Sequence, residues 1–149
     1  MKKYNAIVVF DNECLHVLMC LRSKEPYKNK LNFVGGKIEN GENSLKAAYR
    51  ELFEETGITR KVIELIHMMD FTYHITDCHV EIYVGKLNQT INLREEENPL
   101  VWVELSKDFS DLNSFAGEGD IPYIIQYLNL LDINNMLDKK QNTTKFNAD

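Results

Sequence analysis

Gly35-Gly36-Lys37-Ile38-Glu39-Asn40-Gly41-Glu42, and then Arg50-Glu51-Leu52-Phe53-Glu54-Glu55-Thr56-Gly57-Ile58, form the stretch on which the reading of this chain turns. Two adjacent glycines let the backbone bend sharply. Asn43 or Ser44 suits a helix N-cap and Gly57 suits the C-terminal stop, so a helix is expected between them. At about 100° per residue, Leu45, Ala48, Leu52 and Thr56 share one side and are predicted to face a core. Glu51, Glu54 and Glu55 fall within one arc of roughly 100° on the other side. Like charges at such spacings repel by a few tenths of a kcal/mol per pair, and they lie near the helix end where the macrodipole disfavours anions. A Glu-rich helix face is ordinarily just solvated. Beside a Gly-Gly turn the same carboxylates have a second reading, because a hard divalent cation such as Mg²⁺ takes carboxylate, water and phosphate oxygens.

Upstream of this stretch, Asn5 to Phe10 and Cys14 to Leu21 read as two β-rich runs around a turn at Asp11-Asn12-Glu13. Arg22 to Lys30 is polar, contains Pro26 and is expected to loop, and Leu31 to Val34 is a short strand that ends at the glycines. Downstream, Val62 to Tyr73, His79 to Leu87 and Leu100 to Leu105 are rich in β-branched and aromatic residues. Ile121, Ile124, Ile125, Leu128 and Leu131 recur at spacings of three and four, which predicts a second amphipathic helix.

The 149 residues suit one compact domain, expected over 1–137, with 138–149 a polar, loose tail. No apolar run approaches the roughly 20 residues that span a bilayer. The apolar run after Lys2 and Lys3 extends only from Ala6 to Phe10, too short for a signal peptide, so a cytoplasmic protein without a membrane partner is expected. Cys14, Cys20 and Cys78 are odd in number and widely spaced, which fits buried small hydrophobes better than disulfides or zinc ligands. A net charge of −6 argues against binding a nucleic-acid polymer, which depends on Lys and Arg. A small nucleotide that arrives with its cation meets no such obstacle.

The segment from Gly36 to Ile58 resembles a complete Nudix box, G-x₅-E-x₇-R-E-U-x-E-E-x-G-U with U aliphatic. Its fixed positions are filled by Gly36, Glu42, Arg50, Glu51, Leu52, Glu54, Glu55, Gly57 and Ile58. Further upstream, Lys30-Leu31-Asn32-Phe33-Val34-Gly35-Gly36-Lys37-Ile38-Glu39 is similar to the K-L-E-F-P-G-G-K-I-E of the MutT branch. Val34 stands where that branch has proline, and Asn32 where it has an acid. The resemblance implies an α/β Nudix fold, an α/β/α sandwich around a mixed β-sheet. It also implies a pyrophosphohydrolase using Mg²⁺, or Mn²⁺ in its place, on a small nucleotide. The foremost substrate is a nucleoside triphosphate, oxidised forms included, cleaved to the monophosphate and pyrophosphate. Dinucleoside polyphosphates, nucleotide sugars and capped RNA remain alternatives. So does a nucleotide-sensing module without catalysis, although such modules commonly lose the box carboxylates retained here.

By the same resemblance, Glu51, Glu54 and Glu55 would hold the metal with the carbonyl of Gly35. Arg50 would orient the glutamates, Glu42 would brace Arg50 or form a plain salt bridge, and Glu51 is the expected base. Gly36 and Lys37 count with the substrate-binding loop. Glu97, five residues before Trp102, is either a further metal-linked or base-like carboxylate or part of a charged loop. Arg22, closing a strand, reaches substrate phosphates or is simply solvated. Asp120 is read as the N-cap of the last helix, or together with Asn32 as a hydrogen-bonding partner of a purine base. Trp102, Phe33 and Phe71 either stack on a base or, as buried aromatics usually do, belong to the core. His67, His74 and His79 show no metal-ligand spacing among themselves and receive no catalytic role.

Overall fold

The structure, a computed structural model, describes residues 1–117, 119–132 and 134–138. The tail expected over 138–149 therefore lies, from 139 onward, outside the described residues. Among the described residues, the main strands and helices follow in the order β1 (Lys2–Phe10), β2 (His16–Leu21), β3 (Leu31–Phe33), α1 (Ser44–Thr56), β4 (Ile66–Tyr73), β5 (Cys78–Lys86), β6 (Leu100–Glu104) and α2 (Asp120–Leu130).

The strands make one mixed sheet, ordered β3-β2-β1-β5-β4, with β6 paired to β2. β1 and β5 run parallel in register from Lys2↔Cys78 to Phe10↔Lys86, and the other ladders are antiparallel. Strand alternation divides the buried side chains between two faces. On one face Ile7, Val9, Leu18, Cys20 and Tyr83 pack with Ala48 and Leu52 of α1. On the other Val8, Phe10, Met19, Ile82 and Val84 pack with Ile121, Ile124, Ile125 and Leu128 of α2. That is the three-layer sandwich expected.

Several local expectations are corrected. The turn after β1 runs through Leu15, because Asp11 Oδ1 accepts from the N–H groups of both Leu15 and His16, at 2.8 and 2.9 Å, and Cys14 takes a φ of 58°. Cys20 is buried, while Cys14 and Cys78 are only partly so. Residues 62–65 are not strand, although Ile63 and Leu65 are buried in the α1-side core. On α1, Leu45 is 38% exposed, and the buried residues are Ala47, Ala48, Leu52 and Thr56, of which Ala48 and Leu52 pack in the core with the sheet. Asp120 is the first residue of α2 instead of its cap; the cap position is Gly119, with no side-chain cap bond.

Candidate active site

α1 begins at Asn43, whose Oδ1 accepts from the Lys46 N–H at 3.1 Å, and ends where the Gly57 N–H donates to the Phe53 carbonyl at 2.9 Å. With Leu52 fully buried, the rotation of the helix is fixed. Glu51, Glu54 and Glu55 are thereby turned toward a cavity of about 380 Å³ lined by Cys20, Glu96, Glu97, Asn98 and Leu100 as well as these three carboxylates.

The loop before the helix comes within bonding distance of this face. Val34 and Lys37 bridge to Ile7 and Tyr4 of β1, so residues 34–37 continue the sheet beyond β3. Gly35 has a φ of 146°, and a Cβ there would strike the Asn5 carbonyl. A Cβ on Gly36 would run into the Glu51 carboxylate. The turn therefore touches the acidic face backbone-first, and the Gly35 N–H donates to Glu55 Oε2 at 3.1 Å.

Arg50 ties the acids together. Its Nε and Nη2 donate to the two oxygens of Glu42 at 2.7 and 2.9 Å, its Nη1 donates to Glu51 Oε1 at 2.9 Å and Glu54 Oε2 at 3.2 Å, and Nη2 also donates to the Lys37 carbonyl at 3.0 Å. The two-pronged pair with Glu42 is the strong guanidinium–carboxylate geometry. It holds the Glu42 carboxyl at about 2, helped by the Glu39 N–H, and raises Arg50 above its usual value.

The other acids behave differently. Burial pushes the Glu55 carboxyl up to about 7; the charges of Glu51 and Glu96 act in the same direction, and the Gly35 N–H and Arg22 oppose them. Burial also raises Glu51 despite its bonds to Arg50, with Glu54 and Glu42 adding to the rise. One guanidinium thus leaves this face short of positive charge. The donors are all oxygens, and they fit a hard divalent cation.

The remaining candidates are more scattered. Glu97 lines the cavity, is exposed and pairs with Lys24 at 2.8 Å. Glu95 accepts from the Leu100 N–H at 3.0 Å, which anchors this acidic loop at the start of β6. Arg22 donates from Nε to the Pro26 carbonyl at 2.7 Å, and Lys37 is exposed. Asn32 stands across from Cys20 in the β2–β3 ladder, its Oδ1 accepting from the Phe33 N–H. Asp120 accepts from the Tyr73 hydroxyl at 3.4 Å, with Phe71 stacked on Tyr73. Arg22, Asn32, Lys37 and Asp120 are outside the lining of the acidic cavity.

Sequence reasoning missed Asn5. It is 4% exposed, its Oδ1 accepts from the Gly36 N–H at 2.9 Å and its own N–H donates to the Gly36 carbonyl at 2.8 Å, so it pins the second glycine on both sides. A polar residue at the head of an apolar strand run was the available signal.

A three-layer sandwich with such an acidic, arginine-laced helix behind a double-glycine turn defines a class. The NUDIX domain family matches residues 1–115, and the chain belongs to that family. Among individual relatives, it is 36% identical over 85 residues to the 8-oxo-dGTP diphosphatase of Escherichia coli K12, covering 56% of this chain and 64% of the relative. It is 28% identical over 112 residues to an NAD-capped RNA hydrolase of Saccharomyces cerevisiae, covering 70% of this chain and 29% of that protein. The chain spans less than two thirds of the length of these curated relatives. Solved structures share its fold. An Ap4A hydrolase from C. elegans superposes with a TM-score of 0.70 at 19% identity, covering 88% of this chain and 98% of the other. A structure of MutT, from a study of the Aliivibrio salmonicida and Vibrio cholerae proteins, does so at 0.63 and 21%, covering 85% and 95%.

Proposed function

We propose that this chain hydrolyses a phosphoanhydride bond in a small nucleotide, foremost a nucleoside triphosphate converted to monophosphate and pyrophosphate, with Mg²⁺ or Mn²⁺ as cofactor. The observation that carries the proposal is the cluster of Glu51, Glu54 and Glu55 in one cavity, with Glu55 raised to about 7 and a single guanidinium among them. These carboxylates, with the Gly35 carbonyl, would hold the cation, which when bound supplies charge stabilisation on phosphoryl oxygens and a more acidic water.

The protein's own contributions are positioning and proton transfer. Arg50, fixed by Glu42, sets the direction of Glu51 and Glu54. Glu51 takes the proton of the attacking water: burial keeps its carboxylate basic, and the bond to Arg50 at Oε1 fixes its orientation. Glu97 and Glu96 form an acidic wall of the same cavity, and Lys24 holds Glu97. Arg22, Gly36 and Lys37 contact the phosphates. Asn32 and Asp120 are assigned to the base, supported by the aromatic surface of Phe71 and Tyr73 next to Asp120. Three free thiols and no helix among the described residues long and apolar enough to cross a membrane support a cytoplasmic setting.

A phosphate-release screen tests the reading. It would compare nucleoside triphosphates, their 8-oxo forms, ADP-ribose, dinucleoside polyphosphates and NAD-capped RNA, each with Mg²⁺ and coupled to the appropriate phosphatase. Triphosphates are expected to be turned over fastest; preference for a nucleotide sugar over every triphosphate overturns the substrate assignment. Asp120→Ala is expected to change the ranking of bases while metal dependence persists. An equal loss on all substrates would reduce Asp120 to a support for α2.

A further inference from the structure

A second group of ligating side chains lies at the other end of α1. Asp70 of β4 and Glu81 of β5 are direct partners across the antiparallel ladder, a placement in which like charges destabilise a sheet. His67 joins them because the register shifts between His67 and Met69. In a regular strand, residues three apart point to opposite faces, and the bulge turns His67 to the side of Asp70. One ligand atom from each of His67, Asp70 and Glu81 lies within 4.8 Å of the other two. Metal–donor bonds of about 2.1 Å require donors about 3 to 3.5 Å apart, a modest contraction.

The surroundings orient these groups without neutralising them. Glu81 is 8% exposed, and its oxygens accept from the Ser44 hydroxyl at 3.1 Å and the Tyr83 hydroxyl at 3.4 Å. Both donors are uncharged. The His67 ring is stacked on Tyr83, with centroids 4.7 Å apart. Asp70 bonds to His67 Nε2 and lies 3.5 Å from His79 Nε2, while His79 Nδ1 is held by the Thr72 hydroxyl at 2.8 Å. Among the described residues, no Lys or Arg forms an ion pair with Asp70 or Glu81. The two carboxylates also help raise the Tyr83 hydroxyl to about 12, after the larger effect of burial.

We propose that His67, Asp70 and Glu81 bind a divalent ion of the zinc class at a site separate from the carboxylates of α1, with His79 next to it. An imidazole with two carboxylates is a donor set for Zn²⁺ and its transition-metal neighbours, whereas Mg²⁺ favours oxygen alone. The ion would clamp β4, the last strand in the sheet order, to β5 and, through Ser44, to the start of α1.

The test is equilibrium dialysis of chelator-treated full-length protein against ZnCl₂ in millimolar MgCl₂, together with visible absorption after CoCl₂ addition. Wild type, His67→Gln, Asp70→Asn and the double variant Glu54→Gln/Glu55→Gln would be compared. A Zn²⁺ site is expected in wild type and in the Glu54/Glu55 variant. Affinity should fall at least tenfold in His67→Gln and Asp70→Asn, with loss of the Co²⁺ bands, and Mg²⁺-dependent hydrolysis should stay within twofold. Both single variants change partly exposed side chains, and circular dichroism of the metal-free forms verifies folding. If His67→Gln fails to fold, Asp70→Asn decides. Wild-type Zn²⁺ affinity in a folded variant of either residue, or loss of the site only in the Glu54/Glu55 variant, overturns the proposal.

Discussion

The two ends of α1 face two groups of carboxylates whose charge is answered in different ways. Toward its C-terminal half, Glu51 and Glu54 share one guanidinium, and Glu55 has a backbone N–H from Gly35. At its N-terminus, Ser44 meets Glu81, which shares its surroundings with imidazoles and hydroxyls. One sheet face and one helix thus carry an all-oxygen cluster and a mixed nitrogen–oxygen cluster. Donor chemistry, more than net charge, separates the ions each can select. It also predicts that disturbing one cluster leaves the other intact.

The largest effect is expected at the first cluster. Glu54→Gln and Glu55→Gln should each lower Mg²⁺-dependent turnover by about a hundredfold or more, equivalent to roughly 3 kcal/mol of barrier. The fold should persist, because glutamine keeps the shape of each side chain and leaves the packing of Ala48 and Leu52 in the core untouched. Steady-state kinetics with circular dichroism checks both halves. Near-wild-type turnover in both variants would remove the distinction between the two ends of α1.

Next comes a pH effect on the metal-free protein. Glu55 has a folded value of about 7 against 4.5 for the unfolded chain, so the folded state retains a proton that the unfolded state releases. The contribution of Glu55 to stability is therefore fully present below about pH 4.5 and is lost as pH rises through about 7, by roughly 2 to 3 kcal/mol as an upper range. Glu42 titrates the other way. Its carboxyl is held at about 2, so its contribution is present above pH 4.5 and is lost only as pH falls through about 2, outside this window. Urea unfolding with chelator at pH 4.5, 5.5, 6.5 and 7.5 should show the decline, and Glu55→Gln should flatten it. An unchanged decline in that variant would move its source elsewhere.

How much of this was readable in advance depends on how local each feature is. The turn, the helix limits and the acidic arc all lie within one continuous stretch, where 3.6-residue periodicity and caps are informative. The layering of α1 and α2 on the two faces of the sheet was implied by the family resemblance, since periodicity marks the apolar side of each helix but not the sheet face it covers. Asn5 escaped because its partner, Gly36, is 31 residues away. His67, Asp70 and Glu81 escaped because the ligands come from two paired strands and the bulge that aligns them is not encoded by spacing. Asp120 was misread as a cap because the acid-then-Pro122 pattern fits an N-terminus equally well when the helix starts one residue earlier.

Arg50→Lys probes the guanidinium itself. A lysine retains the charge but not the fork that grips Glu42 and also reaches Glu51, Glu54 and the Lys37 carbonyl. Loss of one charged hydrogen-bond arrangement predicts a fall in turnover of about tenfold, with a higher Mg²⁺ requirement. Zn²⁺ binding at the strand cluster should not change. A magnesium titration of turnover, run beside the zinc dialysis, reads both.

The smallest effect separates the two ends of the helix by geometry alone. Asn43 has extended backbone angles, φ −64° and ψ 129°, and its side chain satisfies the Lys46 N–H. Asn43→Ala removes that bond and should cost about 1 kcal/mol, a lowering of Tm by about 2 to 4 °C for a chain of this size. The loosened first turn contains Ser44, which holds Glu81, whereas Glu51 begins two turns later and is fixed by Leu52 and Arg50. Turnover with Mg²⁺ should therefore remain within about twofold of wild type, and the Tm loss should be the same with and without Mg²⁺. A fall in turnover as large as that of Arg50→Lys would mean that α1 transmits disorder along its whole length, so that its two ends act as one unit.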